Sequence, residues 1–366
     1  MELKEITFLP TKENVKLLGR SIMLDDCRLL ALSGSGVEFT YTGTKLVVSF
    51  YGDSSVCIPE GEPEHWGDYA RVCVIVDGVR YLDTVVCKPK QTYNVCFADP
   101  GAEVAEHTVR ILKLSEPRMS SVGLGEIKIM STNGPAPTPD KKTLIEFVGD
   151  SITCGYGVDT PSELYHFTTA TEDVTKAFAY KTADNLDVDF SMVSYSGHGL
   201  ISGYTSDPST PKIEELVQPY YEIFAYSYNN FRGMEIQSCK WKAEREPDIV
   251  VINLGTNDES YCGKDSDKRA AFEEDYYEFL EQIHEVHPDA YIVSAFGLMG
   301  DLMYECEENA IAKFKADYGF DKIGICHIAP QNPAENGLVA DYHPSAKSHT
   351  LAAETVTEFI KNNILK

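Results

Sequence analysis

Leu144-Ile145-Glu146-Phe147-Val148-Gly149-Asp150-Ser151-Ile152-Thr153 decides how the rest of the chain is read. The run is short and mostly apolar, flanked by Lys141-Lys142 and by glycine, the pattern of a strand buried in a parallel sheet. It ends at Gly149-Asp150-Ser151, which puts a serine hydroxyl just past the carboxyl end of the strand. Open α/β sheets form their ligand crevice at that edge. Gly155 and Gly157 follow, so the backbone there can turn sharply and approach a ligand closely. A serine in this place is either a nucleophile or the N-cap of the next helix.

Downstream, apolar strands alternate with amphipathic helices. Strands are expected over Thr143–Val148, Phe190–Tyr195, Ile249–Leu254, Tyr291–Phe296 and Lys322–Ile328. Helical spacing of apolar residues marks Glu172–Asn185, Asp267–Val286, Leu302–Asp317 and the segment after Ser345. This alternation predicts an α/β fold with a parallel sheet and helices on both faces.

Upstream, residues 1–130 read as all-β. Val37, Phe39 and Tyr41 alternate with polar neighbours, and Leu46, Val48 and Phe50 do so beyond an expected turn at Gly43-Thr44. Val72, Val74 and Val76 precede Asp77-Gly78, a strong two-residue hairpin signal. Tyr93, Val95 and Phe97, then Val109 and Ile111, then Ile127 and Ile129, continue the series. Such spacing predicts a sandwich of the jelly-roll kind. Residues 131–142 carry three prolines and read as an extended linker without regular pairing, leaving 143–366 as the second domain.

The net charge of −25 argues against nucleic acid and anionic membranes, which require basic surface. No stretch approaches the ~18 apolar residues of a membrane span. The ten cysteines include no Cys-x-x-Cys pair and no metal-ligand spacing with histidine, so neither metal nor cofactor is expected. Reduced thiols and a start, Met1-Glu2-Leu3-Lys4-Glu5, unlike a signal peptide lead to a cytoplasmic expectation. Association into a homo-oligomer is left open.

Three further blocks fall where the sheet delivers its loops: Ser194-Tyr195-Ser196-Gly197-His198-Gly199, Gly255-Thr256-Asn257-Asp258, and Asp341-Tyr342-His343-Pro344-Ser345. His343 precedes proline, which keeps it out of a helix and in a loop before one starting near Ser345. A hydroxyl, backbone N–H donors, an amide and an imidazole then converge on one crevice. Those are the parts of acyl transfer.

In this combination the chain resembles the SGNH, or GDSL, hydrolase superfamily. The resemblance makes Ser151 the nucleophile and His343 the base, with Ser151, Gly197 and Asn257 as the oxyanion hole. It also implies a flavodoxin-like, three-layer α/β/α hydrolase domain. The β region together with Phe147-Val148-Gly149-Asp150-Ser151-Ile152-Thr153-Cys154, Leu254-Gly255-Thr256-Asn257-Asp258 and the Asp341-Tyr342-His343-Pro344-Ser345 ending is similar to carbohydrate esterase family 2. Members of that family couple a jelly roll to an SGNH domain and deacetylate plant polysaccharides. The activity implied is a serine esterase, acetyl xylan esterase-like, acting on acetylated oligosaccharides. Alternatives are another acyl-ester or thioester hydrolase, or a non-catalytic carbohydrate-binding protein.

One departure concerns the acid. In much of the superfamily it lies three residues before the histidine, where this chain has Ala340. Asp341 is two residues before, and residues two apart in an extended loop share a side. Asp341 is therefore expected to orient His343, with a backbone carbonyl as the other candidate. Tyr342 and His198 are read as substrate contacts, although a solvated loop histidine suits His198 equally. His349 is read as packed or capping, Asp150 and Asp258 as loop braces, and Gly34-Ser35-Gly36 as a turn. The tyrosine-rich span Pro219–Phe231 is read as packing, with stacking on sugar rings as the alternative.

Overall fold

A computed structural model of the chain describes residues 2–57, 69–96 and 102–365. Phe97, read above as part of a strand, lies outside them. The chain forms two compact units. The first comprises Met1–Asp140 with two later segments, Thr168–Glu172 and Phe224–Lys240; the second comprises Lys141–Phe167, Asp173–Ile223 and Trp241–Lys366.

Among the described residues the first unit holds an eleven-stranded sheet system built around one long strand, Gly36–Gly52. It pairs antiparallel with Ala105–Lys113, Val122–Ser131 and Gln91–Cys96. The alternating residues noted in the sequence fulfil their pattern: Val37, Phe39, Tyr41, Leu46, Val48, Phe50, Val72, Val74, Val76, Val109, Ile111, Ile127 and Ile129 share one buried core. The expected turn at Gly43-Thr44 does not form. Pairing steps from Leu46↔Ile129 to Thr44↔Met130, skipping Lys45, whose φ is 43°. This bulge bends the strand where a turn would have reversed it. The Asp77-Gly78 hairpin is present, both residues at positive φ (52° and 79°) between Arg71–Val76 and Val79–Val85.

In the linker, Ala136–Pro137 pairs with Thr40 and Phe39, so its prolines do not exclude pairing. A sheet edge tolerates proline because the missing N–H faces outward. Ser35 closes a buried turn onto the Leu32 carbonyl. Most of the tyrosine-rich span falls in the first unit, where Phe224 and Phe231 are buried and Tyr228 is exposed.

The second unit contains a five-stranded parallel sheet. Its strands, in spatial order, are Asp189–Ser194, Leu144–Gly149, Ile249–Asn253, Tyr291–Ser294 and Ile323–Ile325, the doubly wound order 2-1-3-4-5. Asp189–Ser194 and Ile249–Asn253 are buried along their whole length, as parallel strands covered on both faces must be. Strand order reverses between Leu144–Gly149 and its neighbour Ile249–Asn253, and open α/β sheets bind ligands at the carboxyl ends beside such a switch point.

Helices Phe178–Leu186 and Ala346–Asn363 pack against each other, as do Ser266–Val286 and Tyr304–Tyr318. The first of these starts later than its apolar spacing predicts. Asp173 takes hydrogen bonds from the N–H and hydroxyl of Thr175, which ties the preceding residues into a short 3-10 turn. No helix among the described residues is long and apolar enough to cross a membrane.

Candidate active site

Ser151 begins a single helical turn, Ser151–Cys154, directly after its strand. The cap of that turn is Asp150, whose carboxylate accepts the Ile152 N–H at 2.9 Å. The Ser151 hydroxyl is thus released from capping. The turn can sit this close to the strand because residue 149 has no side chain. A Cβ there would lie 2.0 Å from the Thr153 hydroxyl oxygen.

The released hydroxyl meets His343, with Nε2 2.8 Å from Ser151 Oγ. The other ring nitrogen, Nδ1, faces two main-chain carbonyls, Ala340 at 3.1 Å and Asp341 at 3.3 Å. Carbonyls only accept, so Nδ1 carries the ring hydrogen and Nε2 presents its lone pair to the serine hydroxyl. Burial pushes the imidazole down to about 4, against the raising effect of those carbonyls and of the Asp341 charge. At neutral pH the ring is an uncharged acceptor.

The expectation that the Asp341 carboxylate orients His343 is corrected by this geometry. Asp341 and Tyr342 both adopt left-handed backbone angles (φ 51° and 66°), so the loop is not extended and the same-side rule for alternate residues does not apply. The carboxylate instead accepts from the Tyr156 hydroxyl at 2.9 Å and the Phe167 N–H at 3.3 Å, with His166 Nδ1 also at 3.3 Å. Asp341 serves the ring through its carbonyl.

The remaining two blocks are tied to the serine through Asn257. Its amide nitrogen donates to the Asp150 carboxylate at 3.1 Å and to the His198 carbonyl at 2.8 Å. These bonds bring the loops bearing Ser151, Gly197 and Asn257 together. The backbone N–H groups of Ser151 and Gly197 have no hydrogen-bond partner among the described residues. Asp258 accepts the N–H groups of Leu200, Ile201 and Ser202 at 2.8, 2.8 and 3.2 Å. It therefore braces the loop after Gly197. Burial lifts its carboxyl to about 6 despite those three donors.

His198 is buried among Tyr195 and Tyr220, not solvated, and its carbonyl is what the site uses. Tyr342 projects into solvent at 61% exposure beside His343. His349 is packed and accepts the Phe178 N–H at 3.2 Å, capping that helix. Sequence reasoning passed over Tyr156, Thr160 and Phe167. Tyr156 sits between the two glycines that had been noted only for backbone freedom.

Residues 147–351 match the GDSL-like lipase/acylhydrolase family. The chain is 30% identical over 340 residues, 90% of its length, to the cellulase/esterase CelE of Acetivibrio thermocellus. It is also 30% identical over 214 residues, 55% of its length, to an acetylxylan esterase/glucomannan deacetylase of Cellvibrio japonicus. These matches span 38% and 54% of the two relatives' own lengths. A family two carbohydrate esterase from Clostridium thermocellum, solved in complex with cellohexaose, matches with a TM-score of 0.77 at 26% identity, covering 96% of this chain and 99% of that one.

Proposed function

The chain belongs to the GDSL-like lipase/acylhydrolase family, and on that footing we propose that it is a serine esterase removing O-acetyl groups from neutral plant-polysaccharide fragments such as acetylated xylo-oligosaccharides. The observation that carries the reading is the 2.8 Å approach of a lone-pair-bearing His343 Nε2 to the uncapped Ser151 hydroxyl. The names of the relatives, a cellulase/esterase and an acetylxylan esterase/glucomannan deacetylase, support the substrate class. An acidic surface is compatible with a neutral sugar.

In the proposed reaction Ser151 Oγ attacks the acetyl carbonyl carbon while its proton passes to His343 Nε2. Negative charge develops on the carbonyl oxygen, and the unpaired N–H groups of Ser151 and Gly197 are the natural donors to it. Asn257 joins them by redirecting or sharing one of its two amide hydrogens. The bond from the carbonyl carbon to the sugar oxygen then breaks, and the sugar oxygen takes the proton from His343. Water, deprotonated by the same ring, releases acetate from the acetyl-serine. We read the N-terminal unit as a jelly roll. We also read the setting as reducing and cytoplasmic, the environment that keeps cysteines as thiols.

Incubating the protein with acetylated xylo-oligosaccharides and following acetate release by NMR tests the proposal. Wild type should release acetate, and Ser151→Ala should release none while melting at an unchanged temperature. Hydrolysis of octanoyl but not acetyl esters would move the reading to a lipase-like enzyme. Absence of both phosphonate labelling at Ser151 and ester turnover would leave only a binding role, whereas labelling would rule that role out.

A further inference from the structure

Among the described residues the imidazole of His343 has no carboxylate as a hydrogen-bond partner, yet it lies against an aromatic ring with one. Tyr156 stacks on His343 with centroids 4.1 Å apart and planes at 27°; its other face stacks on Phe167 at 4.1 Å and 15°. Its hydroxyl donates to the Asp341 carboxylate at 2.9 Å. The same segment grips the loop beneath the ring, since the Ala340 N–H donates to the Thr160 hydroxyl at 2.6 Å. Gly157 makes that approach feasible: a Cβ there would stand 2.4 Å from the Ala340 Cβ. Residues 156–167 therefore hold the two residues whose carbonyls receive Nδ1–H.

We propose that Tyr156 is the positioning residue of this site, fixing the plane and tautomer of His343 by ring stacking and by anchoring Asp341 through its hydroxyl. This deepens the reading of Ser151 and His343 as an esterase pair and rests on it. When His343 takes the serine proton it becomes a cation, and the face of an aromatic ring attracts a cation. The hydroxyl's bond to a carboxylate enriches that face further. Tyr156 thus stands, in two parts, where a triad carboxylate would act directly: it orients the neutral ring and favours the charged one.

Tyr156→Leu and Tyr156→Phe, compared with wild type, decide the matter. Nitrogen NMR shifts of His343 at pH 7 report which ring nitrogen carries hydrogen. Wild type should show the Nδ1–H form alone. Tyr156→Leu should show a mixture of both tautomers, with kcat lower by ~10–100-fold and KM within about twofold. Tyr156→Phe keeps the stack and loses the bond to Asp341, and should fall between the two. A folded Tyr156→Leu with unchanged tautomer and unchanged kcat would overturn the proposal. So would an effect confined to KM, which would make Tyr156 a substrate contact. If the leucine variant does not fold, Tyr156→Phe decides alone, and no change in tautomer or kcat would end the idea. The nitrogen shifts require no substrate, so they stand apart from the fate of the acetyl-esterase reading, which Ser151→Ala tests.

Discussion

The Asp341 carboxylate is bonded to the Tyr156 hydroxyl at 2.9 Å, and its backbone carbonyl, not its side chain, faces the imidazole of His343. Replacing a carboxylate that touches the ring by its amide costs ~10⁴ in kcat. Here an asparagine could still accept the tyrosine hydroxyl, and the carbonyls would remain. Asp341→Asn should therefore lower kcat by only ~10–100-fold, whereas His343→Ala, which removes the base, should cost ~10⁶. Steady-state kinetics on both variants check this. Equal inactivation would make Asp341 a full triad member.

Asn257 should matter through its amide. Loss of a single oxyanion donor costs ~10²–10³ in kcat. Both amide hydrogens of Asn257 are already directed at Asp150 and His198, so part of its worth is holding those loops together. Asn257→Ala is expected near the lower end, ~10² in kcat, with a small fall in melting temperature. A change in KM alone would reassign it to substrate binding.

The pH dependence follows from burial of the base. His343 works only when neutral, and burial pushes it down to about 4. Activity is then lost as pH falls through that value, not through the ordinary histidine range near 6.5. kcat/KM should stay level from pH 8 down to ~5 and drop below it. An acid limb centred near 6.5 would mean that the ring is solvated or paired with a carboxylate.

His349 gives a stability prediction of definite sign. It is buried neutral, pushed down to about 3 by burial and then by the charge of His343, once that ring is protonated, and of Lys181. Between pH 6.5 and 3 the unfolded chain binds a proton there that the folded chain refuses, so stability falls as pH falls. His349→Asn retains an acceptor for the Phe178 N–H and removes the titration. Between pH 6 and 4 wild type should lose up to ~1.4 kcal/mol per pH unit more than the variant. Urea unfolding at several pH values measures the difference, and parallel curves would sink the claim.

Much of this was legible in one dimension because burial imposes a period. Phe147-Val148 before Gly149-Asp150-Ser151 announced a strand end, and Val72, Val74 and Val76 before Asp77-Gly78 announced a hairpin. The Gly43-Thr44 region was misread because a turn and a bulge draw on the same residues, and only the partner strand Val122–Ser131 chooses between them. The path at Asp341-Tyr342 was hidden for a related reason. Left-handed angles at non-glycine residues carry no reliable local signal, and Thr160, which holds Ala340, lies 180 positions earlier in the chain.

That path has an evolutionary side. The acceptors for His343 Nδ1 belong to the polypeptide backbone, so no exchange of side chain can delete them. A lineage could exchange the acid in this loop for another acceptor of the Tyr156 hydroxyl and still keep the same acceptors for Nδ1. What it could not tolerate is a residue that refuses the two successive left-handed angles at 341 and 342. Proline and the β-branched residues refuse them most strongly. In a library covering both positions, survivors should be sorted by backbone conformability, with charge a lesser criterion.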